Sequence, residues 1–461
     1  MADYDARLFF DPLDTDEPWV AGQGISWQLL RSVEAEDLGG GASVPVVESS
    51  LTVIPQSLPD PLPNILMFNW AGGITVSSNF QVDVLRMSTA SEERRLLADR
   101  PTRRMTVRHT GLSRAEMTKI VMNLFRHGNE RVPIPLYSDH SRITATSAIK
   151  EIFCETQYRR FFAGQRFIIC DFDSNSRPTN VEWGVIDNVA ATHIVPTIAL
   201  AGSYGIGARV YPMIDVEIVF RDEARLFNDE KGELKISVKE IPGQSALPPT
   251  ASGTPTGFVE YDDLPIFNET PDANFGYAPG MLRGGTQTHQ GRGNVTYVMG
   301  ARPQATHSLT YRALSRASAW PRIQFFDSRR GRTRAFWFIS PESMWSATAI
   351  AAGSVTIVGD GNIEDIEDFH SHVAILERDG TIHIRAISNV VLASGDFRID
   401  FDENLDTTPN LADIRRVTPA YKMRFEKNGM TEEWTTDGKC DIQFEMVELL
   451  REIEITTLCL Q

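Results

Sequence analysis

The chain has little of what usually carries covalent staples or catalysis. Four of its 461 residues are cysteine, Cys154, Cys170, Cys440 and Cys459, with no C-x-x-C spacing among them. So few cannot staple a chain of this length, and they read as reduced thiols acting as small buried hydrophobes rather than as ligands of a metal or cluster. Positive charge is also short: 45 Lys and Arg face 61 Asp and Glu, a net charge of −16. That sign repels a phosphate backbone and disfavours general nucleic-acid binding. No apolar run reaches the ~18 residues of a membrane-spanning helix. The opening MADYDARLFF places acids where a secretory leader carries a basic segment and an apolar run, so synthesis in a cytoplasm, away from membranes, is expected.

Catalytic signatures are missing as well. There is no G-x-S-x-G elbow, no Walker loop and no H-E-x-x-H. Pairs such as Glu92-Glu93 are too common in an acidic chain to nominate a glycosidase, whose two acids must face each other across a cleft. The Gly-rich stretch Gly202 to Gly207 precedes a strand pattern instead of opening a helix, and so reads as a turn rather than a phosphate cradle. The best metal candidate, Asp360 to His372 with Glu364, Asp365, Glu367, Asp368 and the pair His370 and His372, lacks the ligand spacing of a calcium loop or zinc motif. It reads as a solvated acidic loop beside two residues sharing one strand face. No cofactor and no metal site are expected, and the chain reads as a non-enzyme.

What is present is enough apolar material, 42%, with 23% charged residues, for globular cores. The length exceeds what one core usually supports, so two domains are expected. An internal repeat supplies them. Arg100-Pro101 recurs as Arg302-Pro303, Leu112-Ser113-Arg114-Ala115 as Leu314-Ser315-Arg316-Ala317, and Leu62-Pro63 as Leu264-Pro265, each 202 positions on. Ala148-Ile149 and Val185 to Val189 then match Ala349-Ile350 and Ala386 to Val390, 201 positions on. Colinear anchors at one offset are the mark of a tandem duplication. Each unit also ends on an alternating strand, Met213 to Ile218 in one and Asp441 to Val447 in the other. Equating these requires a loop insertion of about 25 residues in the second unit, which surfaces tolerate. The Pro-, Gly-, Ser- and Thr-rich stretch 241–257 reads as a linker. The expected layout is an N-terminal arm over 1–50, a first domain over 51–240, the linker over 241–257 and a second domain over 258–461. The acidic, Gly-rich Glu34 to Ala42 marks the arm as an extension or exposed loop.

Within the first unit, Ser113 and Glu116 form an S-x-x-E capping box. Met117, Ile120, Val121, Leu124 and Phe125 follow at helical spacing, and Gly128 supplies a stop. The second unit keeps the frame, with Ser315 or Ser318 as cap, but Pro321 predicts a shorter helix. Extended stretches follow at Pro133 to Tyr137 and Ala335 to Ile339, and most of the remainder alternates with period two. The fold class expected is mainly β (α+β), one short helix per unit against an antiparallel sandwich or barrel.

The most distinctive segment is Phe325 to Phe338, with Arg329, Arg330, Arg332 and Arg334 crowded around Gly331 ahead of Phe336-Trp337-Phe338. A helix C-cap followed by a buried strand accounts for Gly331 and the aromatics. In so acidic a chain, the four arginines present either a solvated face or an inter-subunit contact with an acidic neighbour.

This helix, Arg-Arg-Gly-Arg and aromatic strand, together with Ser91 to Arg95 and Arg100 to Arg104 in the first unit, resembles the distal tail proteins of siphophages and gene transfer agents. The resemblance runs over Gly72 to Ile149 and, more weakly, Asn294 to Ile350, with the E-R-R part in the first unit and the R-R-G-R part in the second. It implies two tandem tail-tube-like β-barrel or sandwich domains and a virion protein of the tail tip or baseplate, distal tail or hub. Such a protein forms a homo-oligomeric ring that joins the tail tube protein to hub and fibre proteins. The tape-measure protein would occupy the lumen, and DNA would cross it only as cargo. Duplication adds that three chains would supply six equivalent positions, with six chains as the competing arrangement. A carbohydrate-binding adhesin is the rival reading, with Trp70, Trp183, Trp320, Trp337 and Trp345 as candidate stacking platforms. A tail-borne hydrolase is third.

Overall fold

The structure, a computed structural model, describes residues 73–449 except 87–91, 99, 128–130, 148–149, 173–177, 220–223, 227–230, 242–254, 256, 272–276, 283–284, 291–292, 299–303, 342–343, 359–365, 367–369 and 436–437. The expected arm over 1–50, most of the linker, Leu62-Pro63, Trp70, Ala148-Ile149, Arg302-Pro303, Cys459 and most of the acidic loop before His370 therefore lie outside the described residues. All described residues fall in the unit Pro61–Gln461.

The first half runs β1 (Ile74–Asn79), β2 (Val82–Arg86), β3 (Glu92–Leu96), β4 (Thr102–Ser113), α1 (Arg114–His127), β5 (Val132–Pro135), β6 (Ser141–Arg142), β7 (Ile152–Phe153), β8 (Arg166–Phe172), β9 (Pro178–Ala190), β10 (His193–Pro196), β11 (Arg209–Val219), β12 (Ala224–Leu226) and β13 (Lys231–Glu240). Two short strands follow, β14 (Glu260–Tyr261) and β15 (Leu264–Phe267). The second half runs β16 (Tyr277–Leu282), β17 (Gly285–Gln290), β18 (Gly293–Val298), β19 (Gln304–Ala313), α2 (Arg316–Arg329), β20 (Phe336–Ile339), β21 (Ala347–Ala351), β22 (Ser354–Ile357), β23 (His372–Glu377), β24 (Ile382–Ala393), β25 (Asp396–Phe401), β26 (Ile414–Phe425), β27 (Gly429–Trp434) and β28 (Cys440–Glu448). The protein is mainly β, and among the described residues every strand pair is antiparallel except β15 on β20. Among the described residues the strands do not close into a barrel, which goes against that half of the barrel-or-sandwich expectation.

One pairing scheme occurs twice. β4 lies between β1 and β13 as β19 lies between β16 and β28. β11 pairs with β5, β8 and β13 as β26 pairs with β20, β23 and β28. β9 lies between β8 and β10 as β24 lies between β23 and β25. β12 on β13 matches β27 on β28. Side-chain detail repeats too: the Glu240 carboxylate accepts the Arg103 backbone N–H at 3.1 Å, and Glu448 accepts the N–H of Ala305 at 3.0 Å. Arg103 and Ala305 are the 202-offset equivalents.

The scheme corrects the match of the closing strands. β11, which holds Met213 to Ile218, corresponds to β26, and β28 corresponds to β13, because Val107 pairs with Ile236 where Leu309 pairs with Phe444. No 25-residue insertion is needed. Alternation alone could not tell one amphipathic strand from another.

The helices form where capping and periodicity place them. Ser113 Oγ accepts the Glu116 N–H at 3.3 Å, and the Glu116 carboxylate accepts the Ser113 N–H at 2.9 Å. Met117 and Ile120 are buried. α2 carries a capping box between Ser315 and Ser318 and spans 14 residues, as many as α1. The shorter helix expected from Pro321 is not found. Pro321 removes one N–H donor, while Ala319, Ile323, Phe325 and Phe326 anchor the helix on the core.

Both halves feed one core. Ile74, Val76, Met105 and Val107 of the first half and Phe325, Phe336, Phe425 and Phe444 of the second belong to a single buried cluster. Each half adds a satellite core beneath its outer strands, around Ile152, Phe167 and Ile194 in one and Val355, Phe397 and Ile399 in the other.

Candidate assembly interface

Among the described residues, one strand pair joins the two halves. β1 of the first half pairs along its whole length with β27 of the second, Ile74 opposite Trp434 and Asn79 opposite Gly429. The sheet is therefore continuous across the seam, in the order β13, β4, β1, β27, β28, β19, β16.

A buried ion cluster sits at this seam. β27 turns Met430, Glu432 and Trp434 to one face by strict alternation, and all three are buried. Glu432 is wholly buried; its carboxylate accepts Arg160 Nη2 at 2.9 Å and Trp434 Nε1 at 2.9 Å. Arg160 also reaches the Asp139 carboxylate at 3.1 Å and lies over the Trp320 ring. Asp139 is paired with Arg316, whose guanidinium stacks 4.4 Å from the Trp434 ring centre and donates to the Tyr158 carbonyl. Asp139 and Arg160 come from the first half, Arg316, Glu432 and Trp434 from the second.

Electrostatics follow from this burial. Desolvation would loosen the Arg160 proton, but Glu432 and Asp327 outweigh it and the pKa is raised. Burial lowers the Arg316 guanidinium to about 10, with Glu432 opposing. Burial raises the carboxyl of Asp327 against the pull of Arg103 and Arg160. Charge pairs this dry fix geometry more than they add stability, since desolvation offsets most of the attraction.

Sequence reasoning missed this cluster. A charged residue on the apolar face of the alternating run Met430 to Trp434 was the available signal.

The arginines singled out from sequence do not form one exposed patch. Arg329 is buried; it donates to the Ala335 carbonyl and lies beneath the Phe325 ring, and burial lowers it to about 10. Arg330, Arg332 and Arg334 are half-buried. Arg330 caps α2 in the left-handed conformation, φ 52°, and Arg334 donates to the Ser328 carbonyl. The Arg332 carbonyl accepts Arg94 from the first half at 2.9 Å, so this turn also touches the seam. Gly331, φ +61°, follows in the same turn, and a Cβ there would meet the Asn428 carbonyl at 2.9 Å. Gly331→Ala is expected to cost about 1–3 kcal/mol through backbone strain and this clash, measurable as a lowered urea midpoint at unchanged m-value.

The remaining candidates are dispersed. Cys154, Cys170 and Cys440 are buried free thiols, and burial pushes Cys154 and Cys170 up to about 12. Among the described residues, no three His, Cys, Asp or Glu side chains gather as a metal site. No helix among them is long and apolar enough to cross a membrane. Of the tryptophans considered for sugar stacking, Trp183 is 43% exposed, Trp337 is buried, and Trp320 and Trp345 pack against core clusters. Gly202 to Gly207 leads into β11 as a turn, with Gly207 at φ +98°.

A scan against protein-family models and a search of curated proteins each gave no match for this chain.

Proposed function

We propose that the chain is a structural protein of a long-tailed phage tail tip, a distal-tail or hub-type adaptor without enzymatic activity, whose copies form a ring between tail tube and tip. The observation that supports this best is the seam itself. Two copies of one strand-pairing scheme stand side by side, joined by a continuous sheet through β1 and β27. A lateral, head-to-tail join between like units is the repeating step from which rings are built. Two such units per chain let three chains supply six like positions, matching a sixfold tube above to a threefold hub below. The buried ion cluster holds the angle between the units, which ring closure requires to be fixed. The lumen takes the tape-measure protein and passes DNA, and a net charge of −16 disfavours its adhesion.

The test is immunogold labelling with an antibody raised against the full chain, applied to phage-like particles released by the source cells. Gold confined to tail tips is the expected result. Labelling absent from every particle, with the chain recovered only free of particles, overturns the reading.

A further inference from the structure

The seam inside the chain specifies a second seam that one chain cannot make by itself. The paired registers give the equivalences. Val107 and Leu309 are equivalent and face Ile74 and Tyr277 respectively, so Ile74 of β1 corresponds to Tyr277 of β16. Likewise His109 opposite Leu234 and Tyr311 opposite Ile442 set Ala224 of β12 equivalent to Glu432 of β27, and Leu226 equivalent to Trp434. β1 and β27 are joined. Their counterparts are not: among the described residues β16 pairs with β19 alone and β12 with β13 alone.

The difference shows in exposure. Val76 and Ser78 of β1 are buried, whereas Ala278, Pro279 and Gly280 of β16 are exposed. An open strand edge is a template for pairing with another chain. Here the template has a defined partner, because the relation that carries the first half onto the second also carries the β1 edge to β16 and the β27 edge to the β12 of a following copy.

We infer that β16 of one chain pairs antiparallel with β12 of a second copy, in the register of the internal seam: Tyr277 opposite Leu226, Ala278 opposite Arg225, Pro279 opposite Ala224. The contact is heterologous, one edge of each kind per chain, so repetition runs in one direction and closes into a ring of alternating internal and intermolecular seams. Pro279 has no N–H, which costs this short ladder at most one hydrogen bond and discourages other strands from docking there. Ala224 and Leu226 hold the β12 positions equivalent to Glu432 and Trp434 of β27, so the carboxylate of the internal seam has no counterpart on β12. This inference deepens the ring reading and rests on it for closure.

The experiment is disulfide trapping in the full-length chain. Two double variants, Ala278→Cys with Arg225→Cys and Tyr277→Cys with Leu226→Cys, place cysteines at in-register pairs. In an antiparallel ladder one of these pairs is the closer, non-hydrogen-bonded kind that a disulfide fits. Ala278→Cys with Leu226→Cys is the out-of-register control, since a one-residue slip turns side chains to opposite faces. Each variant is melted under reducing conditions to show that it folds as the parent does. After mild oxidation, the expected result is a ladder of covalent oligomers ending in a closed species, roughly tenfold more abundant for an in-register pair than for the control. The single variants should give no such ladder. Dimers from Ala278→Cys alone would mean that β16 pairs with itself, and would overturn the inference. Discrete oligomers by light scattering, without in-register trapping, overturn this pairing and leave the ring reading standing. A monomer at all concentrations overturns the pairing, and tip labelling then decides the ring reading separately.

Discussion

Glu432→Ala is expected to lower the unfolding free energy by roughly 3–5 kcal/mol, the cost of breaking one side of a buried charge network. The magnitude follows from what the carboxylate holds. Glu432 is wholly buried, and its removal takes from Arg160 the charge at 2.9 Å and from Trp434 the acceptor of its indole N–H. Arg160 keeps Asp139 at 3.1 Å, but Asp139 already serves Arg316, so one carboxylate must answer two buried guanidinium groups. Alanine leaves a void as well, adding a cavity cost to the unpaired charge. Glu432→Gln keeps the size and an acceptor oxygen for Trp434, so its loss should be smaller, with the difference between the two variants reporting the orphaned hydrogen bonds and the void. Urea unfolding of both variants beside the parent measures this. A loss below ~1 kcal/mol for Glu432→Ala would place the cluster in the class of solvated surface pairs. Because the residue joins the halves, the same variant should broaden the transition, as the two pairing schemes lose part of what makes them unfold together.

How much of this was legible from the sequence depends on how far each feature reaches along the chain. α1 was legible because Ser113, Glu116, Met117 and Ile120 lie within a few positions and the physics of caps and helical periodicity is local. The repeated strand-pairing scheme has a counterpart in the sequence, short identities at a constant offset, and the Ser113 and Ser315 caps stand at that offset in the fold. The equivalence of β13 with β28 was hidden. These strands share little but alternation and a terminal glutamate, and only the register on β4 and β19 identifies them. Pro321 argued for a shorter α2, and the aromatic packing of Phe325 and Phe326 overrode that local cost. The ion cluster was the least legible, because Arg160 and Glu432 are 272 positions apart and a lone charge in an acidic chain reads as surface. Arg329 fell to the same ambiguity: four arginines around a glycine describe a basic patch equally well as a helix end whose guanidinium groups serve carbonyls of the turn.

Acid should weaken the fold as pH falls below the ordinary histidine value of 6.5, and three histidines held neutral by burial set the window. Burial lowers His109 and His140 from 6.5 to about 3, with Arg209 adding to it at His140, and His307 from 6.5 to about 4. His109 is wholly buried on β4, and His307 stands on the equivalent sheet strand β19, packed on Phe338 and Tyr421. All three are neutral in the folded state while the unfolded chain takes up protons below pH 6.5. Their contribution is therefore complete above that pH, declines as pH falls, and is lost once pH passes the folded values. At pH 5 the cost is on the order of 2 kcal/mol for each, at about 1.4 kcal/mol per unit. Asp215 and Asp327, both raised by burial first of all, act in the opposite sense: their contribution is present at low pH and lost as pH rises through the folded values. The net slope therefore mixes the two, and a substitution separates them. His307→Phe keeps an aromatic ring against Phe338 and Tyr421 and removes one titration, leaving both aspartates in place. Between pH 6 and 5 the dependence of its unfolding free energy on pH should be shallower than the parent's by about 1.2 kcal/mol per unit, a little under one proton's worth. Urea titrations at closely spaced pH values measure that difference. A slope equal to the parent's would mean that His307 is protonated in the folded chain, and that β19 packs less tightly on β20 and β26 than the rings of Phe338 and Tyr421 require.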